Sequence, residues 1–134
     1  MRTKKAPLVV AALMVAVLAA ARAALRADEE HVWLLGRLFD SACAFRVRFG
    51  IPCPNCGMTR SFILAVHGQL GEALRLNPAG PLLVLGMFAA AAMLAFAAIR
   101  SRETDVRRWL IPATLAYAGV YVAVLIGHWL AVIL

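Results

Sequence analysis

The chain has 134 residues, of which 63% are hydrophobic and 16% charged, with a formal net charge of +7. A mean hydropathy of +0.82 lies well above that of a soluble domain and points to a bilayer as the solvent. The basic excess does not form a nucleic-acid surface. The arginines gather at the ends of apolar runs, as membrane flanks do, and aromatic residues are too few to build a stacking platform. The length predicts a single integral membrane domain over residues 1–134.

In chain order, Ala6 to Ala21 is apolar without interruption behind Arg2, Lys4 and Lys5. Arg22 is near enough to an end to snorkel, so the run continues to Leu25 and residues 6–25 predict a first transmembrane helix. Ala21-Arg22-Ala23 also fits a small-x-small cleavage site. A removable signal peptide is therefore the competing reading, and an uncleaved anchor the preferred one.

Residues 29–76 are too polar to cross a membrane and too apolar to be a free linker, which predicts interfacial or re-entrant helices. Over Glu29 to Ala42, Trp33, Leu34, Leu38 and Phe39 cluster against Arg37 and Asp40, as in a helix lying at the interface. Phe45, Val47 and Phe49 then alternate with Arg46 and Arg48, an extended pattern. Thr59 to His67 reads as a helix broken by Gly68, and Gln69 to Leu76 as a short amphipathic turn.

The second span covers residues 79–99, about 31 Å at the helical rise, with Asn77 as cap and Pro78 as first helical residue. The third covers residues 109–134, with Trp109 and Trp129 placed as interfacial anchors. It carries a small-residue face, Gly119, Ala123 and Gly127, suited to a membrane protein partner or a homo-oligomer, and a polar stripe of Thr114, Tyr117, Tyr121 and His128. The predicted fold class is thus an all-α membrane protein with three transmembrane helices.

The basic N-terminus and the arginines of residues 100–108 place both on the cytoplasmic side by the positive-inside rule. Residues 29–76 and the C-terminus then face outward. The Ala- and Arg-rich, Lys-poor composition resembles that of proteins from GC-rich bacterial genomes, for which a multi-pass protein is expected in the inner (cytoplasmic) membrane, and the lipid bilayer is the one partner the composition identifies.

Chemistry concentrates in Gly50-Ile51-Pro52-Cys53-Pro54-Asn55-Cys56-Gly57-Met58-Thr59-Arg60. With three cysteines in the chain, Cys53 and Cys56 are the natural pair, and Cys43 reads as a lone thiol serving as a small apolar residue. Cys56 opens a helical stretch and Arg60 follows one turn later, both of which favour a thiolate and allow a redox-active pair. No βαβ pattern accompanies it, so a thioredoxin-like context is excluded.

Zinc competes with this reading, but it needs about four ligands and one C-x-x-C supplies two. His67 lies about 16 Å from Cys56 along a continuous helix, which leaves Cys43, His31 and His128 as open candidates without diagnostic spacing. A turn that merely bends the chain back to the membrane is the third reading. Arg60 and Thr59 are candidates for an anionic headgroup, and Asn77 and His128 fall on the same outer side as the cysteines. The sequence assigns no cofactor, and the metal remains open.

Cys53-Pro54-Asn55-Cys56-Gly57-Met58-Thr59-Arg60, the following apolar helix, Gly68, Ala73 and Asn77-Pro78 resemble the signature of the domain-of-unknown-function 2752 family, C-P-x-C-G-x-T-R followed by G and N-P. The resemblance covers residues 43–99. It implies a small multi-pass bacterial membrane protein and supplies no reaction, cofactor or catalytic residue. The expected function is interaction or scaffolding, with a structural or metal-linked Cys motif at the outer face. The alternative is a membrane thiol–disulfide oxidoreductase using Cys53 and Cys56.

Overall fold

Among the described residues, three stretches are long and apolar enough to cross a membrane: Ala6–Ala24, Ala79–Ile99 and Leu110–Ile133. They lie in helices α1 (Lys5–Ala24), α5 (Ala79–Arg100) and α6 (Glu103–Ile133) of a computed structural model that describes residues 5–28, 31–38, 43–100 and 103–134. The chain is an all-α multi-pass membrane protein with one small sheet. Leu13, Phe88 and Leu115 are exposed on these three helices, as side chains facing lipid must be. Helix α5 is central, with α1 and α6 packed against it. Pro7 falls in the first turn of α1, where its missing donor costs nothing.

The connection from α1 to α5 departs from the expected interfacial helix. Its described part forms three short antiparallel strands, β1 (Leu25–Ala27), β2 (Val32–Leu34) and β3 (Arg37–Leu38), in that order. Residues 29, 30 and 39–42 of the predicted helix lie outside the described residues. Leu35 and Gly36 both have positive φ, 50° and 80°, the two-residue turn whose twist suits a tight hairpin and breaks a helix. Leu35 N–H donates to Ala24 O at 2.8 Å, so the hairpin also closes the end of α1.

Residues 45–49 are helical rather than extended, forming α2 (Ala44–Phe49). Phe45, Val47 and Phe49 are all exposed, so their alternation marks no buried sheet face. Phe45 and Phe49 instead meet at 4.8 Å between ring centroids, a helical i,i+4 pair. Gly50, at φ 71°, ends α2 by donating to Arg46 O at 2.9 Å.

Helices α3 (Met58–Val66) and α4 (Leu70–Leu76) follow, separated at Gly68. Leu64, Ala65, Ala73 and Val84 form the core that holds them to α5. Ser61, fully buried, directs its hydroxyl to Ala73 O (2.7 Å) and Asn77 O (2.6 Å), tying the ends of α4 and α5 to α3.

Helix α6 begins before the predicted third span, so the expected basic loop is largely helical on both sides of residues 101–102, which lie outside the described residues. Of its polar stripe, Tyr117, Tyr121 and His128 face the protein, whereas Thr114 is exposed and donates to Leu110 O of its own helix at 2.8 Å. The Tyr117 hydroxyl donates to Leu82 O, and the Tyr121 hydroxyl lies 3.9 Å from Met58 Sδ. Gly86 makes room for the Tyr117 ring, whose Cε1 would lie 2.8 Å from an added Cβ. The small-residue face points away: an added Cβ at Gly119 or Gly127 would meet nothing within 4 Å. The alternation of α1, α5 and α6 leaves the described residues between α1 and α5 and the last turn of α6 at one end of the bundle, and the first turn of α1 at the other.

Candidate metal centre

The cysteine motif is built as a tight turn ahead of α3. Cys56 N–H donates to Cys53 O (3.0 Å), Met58 N–H to Asn55 O (3.2 Å), and Cys53 N–H to Cys56 Sγ (3.2 Å). Gly57, at φ 76°, is the residue that caps α3. Cys56 therefore precedes the helix instead of opening it, because the chain needs a left-handed residue to enter α3 from this turn. An added Cβ on Gly57 would also lie 3.3 Å from Leu76 O.

Asn77 holds this turn from behind. It is fully buried, and its side-chain amide donates to Cys56 O at 3.2 Å and towards Pro54 O at 3.4 Å. Its Oδ1 accepts the Ala79 N–H at 3.0 Å, capping α5. One side chain thus fixes both the cysteine turn and the start of a membrane span.

The three cysteines converge. Cys53 Sγ is 3.2 Å from Cys56 Sγ and 3.5 Å from Cys43 Sγ, and all three sulfurs lie within 4.8 Å of one another. Cys43 is thus no isolated apolar thiol. Helix α2 and its Gly50 turn bring it back onto the motif. Metal–sulfur bonds of about 2.3 Å in tetrahedral geometry place their sulfurs about 3.8 Å apart, so the 3.2 and 3.5 Å separations would have to open by only a few tenths of an ångström to share one ion.

The thiols are electrostatically unequal. The Arg46 amide in the first turn of α2 is the main influence on Cys43, without closing a formal capping hydrogen bond. With the Cys56 and Cys53 thiols it brings Cys43 down to about 7. Burial, reinforced by the Cys56 and Cys43 thiols, lifts Cys53 to about 11.

A cavity of about 180 Å³ adjoins Cys53 and Cys56 and is lined also by Arg60, His128 and Trp129. Trp129 Nε1–H donates to Pro52 O at 2.7 Å, anchoring the end of α6 on the cysteine turn. Of the remaining sequence candidates, Thr59 is exposed on α3, while Arg60 and His128 are half-buried and share the cavity. Among the described residues no histidine joins the sulfur cluster. His31 pairs with Asp28 at 3.8 Å, and the His67 ring meets Ile63 O at 2.9 Å.

Sequence reasoning favoured Cys43 as a lone thiol over a partner of the pair, took Trp129 only as an interfacial anchor, and missed Ser61. The one local signal for Cys43 was Gly50, a helix-terminating residue that lets a short helix double back. Ser61 and Trp129 act through backbone carbonyls of distant segments, which spacing does not reveal.

Residues 43–97 match the model of a family described as "Protein of unknown function (DUF2752)". No curated protein and no solved structure matches the chain. The match begins at Cys43 and runs through the cysteine turn, α3, α4 and most of α5, so it contains all three clustered cysteines and the Asn77 clamp.

Proposed function

We propose that this chain, which belongs through residues 43–97 to the DUF2752 family, is a membrane-anchored binding protein for a thiophilic metal ion, zinc(II) or copper(I). Cys43, Cys53 and Cys56 are the ligands. The observation that carries this reading is the convergence of three sulfurs within 4.8 Å on a turn clamped from behind by Asn77. Soft thiolates select such ions over magnesium or calcium. Three protein ligands leave a further position for an exchangeable donor, and the cavity beside Arg60 and His128 provides space for one. The Arg60 guanidinium offsets the net negative charge of a divalent ion held by three thiolates. The positive-inside distribution supports an outward-facing centre on a bacterial inner membrane, where the anchored turn also serves as a scaffold for α6.

The test is metal loading of the purified chain in detergent under reducing, oxygen-free conditions. One equivalent of cadmium(II) should bind with a thiolate charge-transfer band, and Cys43→Ser should lower both stoichiometry and band as strongly as Cys53→Ser or Cys56→Ser. Binding that survives Cys43→Ser intact would refute the three-thiolate centre.

A second reading, thiol–disulfide exchange through Cys53 and Cys56, has the 3.2 Å separation of their sulfurs in its favour. Membrane-impermeant maleimide applied to intact cells separates the two. Labelling only after reduction identifies a disulfide, whereas protection relieved by a chelator identifies a bound metal.

A further inference from the structure

At the same end of the bundle, but remote in sequence from the cysteine turn, lies a larger cavity of about 800 Å³. Its floor is the end of α1 (Ala24), and Arg26, Trp33 and Gly36 of the hairpin and His67 and Gln69 after α3 surround it. The α1 span ends at Ala24, so the cavity sits where hydrocarbon gives way to headgroups. Its lining combines apolar surface, an indole and cationic or hydrogen-bonding side chains. Among the described residues no carboxylate lines it.

Two helix C-termini point at this cavity, and bare carbonyls there would repel an anion. Four of the carbonyls at these ends are already hydrogen-bonded. Ala24 O accepts from Leu35 N–H at 2.8 Å, and Val66 O from Arg22 Nη1 at 3.0 Å. Leu64 O accepts from Gln69 N–H and Ala65 O from Gly68 N–H, both at 3.0 Å. The acid nearest in sequence, Asp28, takes the His31 N–H at 2.7 Å. Each of these carbonyls thus already has a donor, and Arg26, whose residue is exposed, brings a full positive charge to the lining against the partial charge of the helix ends.

We propose that this cavity binds the headgroup of an anionic phospholipid. Arg26 and His67 face the phosphate, and Trp33 lies at the glycerol level as interfacial indoles do. The site is independent of the sulfur cluster and of any metal.

The test is retention of lipid by the purified chain, measured by native mass spectrometry from detergent micelles holding equal phosphatidylglycerol and phosphatidylcholine. The expected preference for phosphatidylglycerol is about fivefold per arginine contact, falling towards unity in Arg26→Gln. Arg75→Gln, on α4 and outside the cavity, should leave it unchanged. His67→Gln provides a second variant should Arg26→Gln fail to fold. Equal retention of both lipids by the unmodified chain, or an unchanged preference in both cavity variants, would overturn the proposal. Displacement of phosphatidylglycerol by inorganic phosphate alone would overturn it too, by identifying a site for free phosphate.

Discussion

The side-chain amide of Asn77 donates to the backbone carbonyl of Cys56 at 3.2 Å, while its Oδ1 accepts the N–H of Ala79 at 3.0 Å. A residue twenty-one positions after the cysteine thus sets the shape of the cysteine turn and starts the central membrane span. An Asn-Pro step supplies this combination because the short amide has both a donor and an acceptor, whereas Asp, Ser or Thr caps a helix equally well but offers no NH₂ group to the turn.

Asn77→Asp is therefore expected to keep the cap and lose the clamp. It places a carboxylate against the carbonyls of Cys56 and Pro54 in a fully buried position. Leaving those partners unpaired costs about 1–3 kcal/mol, and loosening a residue that orients a ligand loop typically lowers metal affinity about 10- to 100-fold. Cadmium titration of the variant in detergent measures the second effect and a thermal melt the first. Unchanged affinity would separate Asn77 from the sulfur cluster.

Trp129→Phe tests whether α6 covers the cysteine turn. The indole N–H donates to Pro52 O at 2.7 Å and the ring lines the cavity beside Cys53 and Cys56. Phenylalanine keeps most of the apolar contact and removes the donor, a change of about 1 kcal/mol, equivalent to about fivefold more opening. The metal-free, reduced chain should be alkylated faster by that factor. A rate equal to that of the unmodified chain would show that the end of α6 does not gate the thiols.

Much of this architecture is legible in the sequence, because hydropathy, capping and helix breaking are local. The three spans, the break at Gly68 and the Asn77 cap all follow from residues within a turn of each other. The hairpin at Leu35-Gly36 was hidden because Trp33, Leu34 and Leu38 fit a helical spacing as readily as strands. The decisive feature there is the left-handed backbone of Leu35, at φ 50°, which leucine composition does not signal. The sulfur cluster was half legible. C-x-x-C shows two of the thiols, but the third arrives through the fold of α2, and its partner distance of 3.5 Å is a tertiary fact. Likewise, the small-residue face of α6 reads like the packing face, yet the tyrosines of the polar stripe are what meet α5 and α3, since buried hydroxyls in a bilayer need acceptors.

Gly57→Ala should weaken the turn from within. The residue holds φ 76°, and the added methyl would approach Leu76 O at 3.3 Å. A left-handed alanine costs about 1–2 kcal/mol, so the expected result is a lower melting temperature with metal still bound at saturating concentration. Complete loss of binding at a wild-type melting temperature would instead assign Gly57 a direct part in ligand geometry.

Gly80→Ala should be the most damaging single methyl in the molecule. The position faces α3 at its closest approach to α5: an added Cβ would lie 2.7 Å from Ser61 Cβ and 2.9 Å from the backbone nitrogen of Phe62. Ser61 cannot swing away without releasing Ala73 O and Asn77 O, both held by its buried hydroxyl, and the Phe62 backbone cannot yield without moving α3. The helices must separate, at a cost of about 1–3 kcal/mol for overpacking, and the Asn77 clamp moves with α5. Ser61→Gly in the Gly80→Ala background removes the side-chain clash but not the backbone one, so it should restore only part of the lost stability in a thermal melt. Full restoration would place the whole clash on the serine. No loss in Gly80→Ala itself would mean that α3 and α5 do not pack as closely as this contact requires.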